Sequence, residues 1–97
     1  MTIPASWPFS EPPDVAVITV AQVLREGVSI LYVTHDEDDG GWQFLSSESF
    51  DPTDAMVVGL REMVEHDPSV SMLADLPPGW CAKRTDGESK WERFPRG

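Results

Sequence analysis

Val28-Ser29-Ile30-Leu31-Tyr32-Val33-Thr34, a polar run from His35 to Gly41, and then Trp42-Gln43-Phe44-Leu45-Ser46 decide the fold class of this chain. The first stretch is β-branched and aromatic, which favours a strand. Val28, Ile30 and Tyr32 fall on one face of it, Leu31 and Val33 on the other, and apolar residues on both faces suit a central position in a sheet. Trp42 and Phe44 then share one face of a returning strand. The glycine-ended polar run between the two reads as the turn of an antiparallel hairpin. Its tip, Asp36-Glu37-Asp38-Asp39, is the densest charge cluster in the sequence.

Toward the N-terminus, Val15 to Thr19 read as a short strand. Thr19 and Gln22 have the spacing of a capping box, followed by a short helix from Val20 to about Glu26 with Gly27 at its end. The first 14 residues are proline-rich and form an extended arm, which Trp7 and Phe9 should pin against something apolar. Toward the C-terminus, Asp51-Pro52-Thr53-Asp54 is a helix start. Met56, Val57, Leu60, Met63 and Val64 then recur at helical spacing, predicting one main amphipathic helix that ends near His66. Asp67-Pro68 repeats the capping device ahead of a short helix holding Val70, Leu73 and Met72. Trp80 to Thr85 and Ser89 to Phe94 read as a second hairpin around Asp86-Gly87. The expectation is one α+β domain over residues 15–97. It consists of an antiparallel sheet of about four to five strands with the main helix and short helices packed on it.

The chain has 97 residues and a net charge of −10. Residues 1–82 hold 14 acids against Arg25 and Arg61, a balance of −12, whereas residues 83–97 carry +2. Such a field repels phosphates, arguing against nucleic acid, and speeds encounter with basic partners. The lone cysteine, Cys81, makes no intramolecular disulfide and reads as a small buried residue. No apolar run approaches a membrane span and no leader pattern opens the chain, so the expectation is a cytoplasmic protein that engages no membrane.

Catalytic signatures are missing. An EF-hand pattern begun at Asp36 puts Asp38 at a ligand position but also Gly40 and Ser47 where ligands are required. His35 and His66 form no Cys/His grouping with Cys81, so neither a zinc site nor any other cofactor is expected. No nucleophile elbow, phosphate loop or dinucleotide fingerprint occurs. What remains are interaction candidates: Asp36, Glu37, Asp38 and Asp39 with neighbouring Trp42, and, secondarily, Trp80, Arg84 and Trp91. An exposed tryptophan beside the acidic tip would serve as an anchor, because it buries a large area at low entropy cost.

Asp38-Asp39-Gly40-Gly41-Trp42-Gln43-Phe44, Asp67-Pro68, the run Leu73-Ala74-Asp75-Leu76-Pro77-Pro78-Gly79-Trp80-Cys81-Ala82-Lys83-Arg84 and Trp91 together resemble a family of small bacterial domains of the "immunity protein 33" type. The resemblance spans residues 15–94. Members often carry Asp-Ser-Gly-Trp where this chain has Asp39-Gly40-Gly41-Trp42, and a Gly-Asp-Glu-like segment where it has Ser47-Glu48-Ser49. It implies an α+β fold and, for some members, neutralisation of a toxin by direct binding; it offers no catalytic residues to carry over. The reading is therefore a non-enzymatic protein-interaction domain. Its expected partner is a protein, a toxin with a basic surface among the candidates, and a homodimer is open through the N-terminal arm or a sheet edge. The alternative is a small-molecule-binding or regulatory domain with a tryptophan-lined pocket between sheet and helix.

Overall fold

The computed structural model describes residues 7–96. The part of the proline-rich arm that precedes Trp7 lies outside the described residues. Six strands form one sheet: β1 (Ala16–Val20), β2 (Tyr32–His35), β3 (Trp42–Leu45), β4 (Ala55–Gly59), β5 (Trp80–Lys83) and β6 (Glu92–Pro95), in the order β4-β1-β3-β2-β5-β6. Two short helices, α1 (Ala21–Glu26) and α2 (Leu60–His66), and the 3-10 turns Pro52–Asp54 and Pro68–Leu73 complete an α+β fold. The sheet is mixed, not wholly antiparallel: β1 runs parallel to β3, with Ile18 opposite Gln43, while every other neighbouring pair is antiparallel.

The sixth strand comes from the segment expected to open the main helix. Pro52 starts only a single 3-10 turn, whose cap Asp51 accepts from the Thr53 amide at 2.9 Å. Ala55 to Gly59 then pair along β1, and the helix is confined to Leu60–His66. Met56 and Leu60 fit a helical face and equally fit alternate positions of a strand, so spacing alone does not separate the two. Val57 and Val58 are β-branched and Gly59 weakens a helix, and the vacant edge of β1 decides the matter.

Two further expectations give way to tertiary contacts. The Thr19–Gln22 capping box does not form; Val20 caps α1 without a side-chain bond. The Thr19 hydroxyl instead donates to the Phe44 carbonyl at 2.7 Å, tying β1 to β3, and the Gln22 amide reaches the Asp54 carboxylate at 2.8 Å. The strand expected from Val28 is shorter, because Val28 and Ser29 are exposed and regular pairing begins at Tyr32. Gly27 does close α1, in the left-handed region at φ 69°.

The register divides the sheet into two faces. Val17, Val33, Phe44, Trp42 and Ala82 lie on the covered face, in one buried cluster with Leu60, Met63, Val70, Leu73 and Leu76. Phe9 joins that cluster, edge-on to Trp42 at 5.3 Å, so the described part of the arm is pinned at its aromatic residues. Tyr32, Thr34, Gln43, Leu45, Cys81 and Phe94 occupy the opposite face. Cys81 is fully buried there.

Candidate functional site at the hairpin tip

The β2–β3 turn is built by its own acids. Asp36 donates its amide to the Gly41 carbonyl at 2.8 Å, and Gly40, at φ 72°, returns its amide to the Asp36 carbonyl. The carboxylates of Asp36 and Asp39 accept from the Asp38 and Gly41 amides, both at 2.7 Å. Two of the four acids thus hold the backbone of the turn. Glu37, Asp38 and Asp39 are exposed, and no ion pair among the described residues involves any of the four.

Below the tip the chain is tightly fixed. His35 is buried, stacks on Trp42 at 4.0 Å and lies with Nδ1 2.7 Å from the Leu76 carbonyl. A carbonyl only accepts, so Nδ1 carries the proton in this bond. Nε2 lies 3.7 Å from the Glu11 carboxylate. The His35 carbonyl accepts from the Gly79 amide at 2.7 Å, and the Gly79 carbonyl from the Arg96 amide at 2.8 Å. Gly79 sits at φ 85°, and a side chain there would meet Glu37. The result is a cleft of about 350 Å³ lined by His35, Asp36, Glu37, Asp38, Gly79 and Arg96. It sets the acidic hairpin against Gly79 of the Pro77-Pro78-Gly79 turn.

The tryptophans do not fall as the linear order suggests. Trp42, the sequence neighbour of the tip, is 2% exposed and part of the core, so it presents no surface to a partner. Trp80 is the cross-strand partner of His35, at the tip end of β5, and is 36% exposed. The exposed tryptophan on the strand next to the hairpin, one residue from Gly79 of the cleft, is therefore Trp80.

Arg84 and Trp91 belong to a different structure beyond the far end of β5. Arg84 is 7% exposed. Its Nε donates to the Ile30 carbonyl at 2.9 Å, Nη1 to the Ser69 hydroxyl at 2.9 Å and Nη2 to Asp67 at 2.7 Å, while its guanidinium lies 4.1 Å from the Trp91 ring centroid. Burial alone would raise the Asp67 carboxyl, but hydrogen bonds from Ser69 and the Arg84 guanidinium hold it below the ordinary carboxylate range. The Arg84 side chain is 2% exposed, and Nε, Nη1 and Nη2 each donate inside the fold, so it is not available as a partner contact. The Asp67-Pro68 pair marks Asp67 as a helix cap. It does cap, accepting from the Ser69 amide at 3.0 Å, but its pairing with a residue 17 positions away leaves no mark in the sequence.

A second concavity, about 640 Å³, opens on the face that bears Cys81. Tyr32, Phe50 and Phe94 supply aromatic walls, and Thr34, Gln43 and Arg96 supply polar groups. The Tyr32 hydroxyl is pushed up to about 12 by burial and by its hydrogen bond with Cys81.

Among the described residues no three His, Cys, Asp or Glu converge as metal ligands, and no helix is long and apolar enough to cross a membrane. Compared with protein-family models, curated proteins and solved structures, the chain matches none of them.

Proposed function

We propose that this chain is a non-enzymatic interaction domain that binds a protein partner through the β2–β3 tip, and that it acts as an immunity-type inhibitor by occluding a toxin with a basic surface. One observation carries the reading: Glu37, Asp38 and Asp39 project from a turn whose backbone is fixed, have no ion-pair partner among the described residues, and lie at the end of the sheet where Trp80, 36% exposed, pairs with His35. Fixed carboxylates speed encounter with a basic surface and set its orientation, and a neighbouring indole supplies the desolvated anchor such interfaces need. The toxin itself is suggested only by the family resemblance.

The test uses Glu37 and Asp38, whose side chains take no part in the hydrogen bonds that build the turn. A pulldown from the source cell identifies the partner, and titration then compares the wild type with a Glu37→Lys/Asp38→Lys double variant and with Trp80→Ala. Charge reversal is expected to weaken binding by about 10- to 100-fold, with a matching loss of salt dependence. Trp80→Ala should cost a similar factor, mainly through faster dissociation. Binding indifferent to both substitutions would remove the tip from the interface.

The 640 Å³ concavity favours a second reading, a small-molecule-binding or regulatory domain. It lies on the sheet face that bears Cys81 and is lined by tyrosine and phenylalanine, whereas the alternative drawn from the sequence is a tryptophan-lined pocket between sheet and helix.

A further inference from the structure

The two edges of the sheet are finished differently. β6 carries Glu92, Arg93 and Pro95, and Arg93 is drawn sideways to the Met72 carbonyl at 2.6 Å and to Asp75 at 2.7 Å. Charge and proline on an edge strand discourage further pairing. β4, Ala55-Met56-Val57-Val58-Gly59, has neither, and Val57 is 72% exposed.

The hydrogen-bond register shows which β4 groups face outward. The Leu60 amide donates to the Val15 carbonyl at 2.9 Å, in step with the pairing of Val58 with Val17 and of Met56 with Thr19. In an antiparallel ladder the bonded positions alternate, so Ala55, Val57 and Gly59 turn their backbone groups away from β1. The Ala55 amide agrees: it donates back to the Pro52 carbonyl. Gly59 caps α2, and a cap residue gives its carbonyl to the first helical bond. Four outward groups are left: the Ala55 carbonyl, the Val57 amide, the Val57 carbonyl and the Gly59 amide. No described strand lies beyond β4 to receive them.

We infer that β4 is a self-pairing edge that joins two copies of this chain, antiparallel, about a two-fold axis through Val57. In that arrangement each Val57 amide donates to the partner's Val57 carbonyl, and each Gly59 amide to the partner's Ala55 carbonyl. All four leftover groups on each copy are satisfied and none is duplicated. The two exposed Val57 side chains meet across the axis on the same face of the continuous sheet. The closed two-fold also uses up the edge, so association stops at the dimer. A five-residue edge buries less than the roughly 1,200 Å² typical of stable complexes, so the dimer dissociates on dilution. Each copy carries −10, and added salt screens the repulsion between them. Dimerisation therefore strengthens with salt, opposite in sign to binding of a basic partner at the tip, which keeps the two proposals separable.

Sedimentation velocity on the full chain, over a concentration series at low and high salt, tests this. The wild type should shift toward twice the monomer mass as concentration and salt rise. Val57→Pro removes only an outward amide and should raise the dissociation constant at least about 10-fold while the circular dichroism spectrum is kept. Val57→Lys, which sets two like charges at the axis, provides the same loss without proline, and Val57→Thr should retain the dimer. A wild type that stays monomeric up to about 1 mM would overturn the inference and leave β4 to a strand from another protein. A dimer that survives both Val57→Pro and Val57→Lys would place the contact elsewhere and overturn it as well.

Discussion

Strand β5 connects two charged regions that use similar groups in opposite ways. At its start, beside His35 and Trp80, the tip carboxylates are exposed and have no ion-pair partner among the described residues. Just past its end, Arg84 is buried, and Asp67, Ser69, the Ile30 carbonyl and the Trp91 ring surround it. A buried cation left without partners is costly, so the far end must hold its geometry for the fold to persist. Exposed acids cost the fold little, and their charge remains available to another molecule. Density of charge in the sequence is therefore a poor guide to its role, and burial separates the two cases.

Substitutions at the two ends should differ in the same sense. Arg84→Ala removes a cation that bridges Ile30, Ser69, Asp67 and Trp91, and should cost about 3–5 kcal/mol in denaturant unfolding. A loss under about 1 kcal/mol would mean that the far end is as dispensable as the tip. Asp67→Asn keeps the cap geometry but removes the charge, and should cost about 1–2 kcal/mol at neutral pH. The sign with pH follows from the lowered Asp67 carboxyl. Its contribution is fully present above the unfolded-state carboxylate range and is lost as pH falls through the still lower folded-state value. Unfolding followed from pH 6 downward should therefore show an acid-dependent decline that is shallower in Asp67→Asn than in the wild type. The smallest effect is expected at the tip: Glu37→Lys/Asp38→Lys should change stability by no more than about 0.5 kcal/mol. A larger loss would show that these acids also serve the fold.

Much of the hairpin was legible in sequence because its signals are local. Gly40 adopts positive φ, Asp36 and Asp39 bond amides two residues on, and Asp51 and Asp67 cap where proline follows. Residues 55–59 were not legible, since Met56 and Leu60 suit both a helix and a strand and only the position of β1 distinguishes them. The parallel β1–β3 pair was missed for a related reason. It depends on which strand Thr19 reaches, and its partner Phe44 is 25 residues away. The choice between Trp42 and Trp80 turned on register. Alternation puts both on one face, but only the covering by Phe9, His35 and Phe44 makes Trp42 core and leaves Trp80 at the rim.

The position of Trp80 has a practical, spectroscopic consequence. It is the most exposed indole among the described residues, and it stands at the proposed contact. Trp42 is enclosed, and the Trp91 ring is overlaid by a guanidinium. Trp7 is half-buried, its indole N–H donating to the Glu11 carbonyl at 2.7 Å, so comparing the emission of the wild type with that of Trp80→Phe would isolate the part of a binding signal that Trp80 supplies, without added dye.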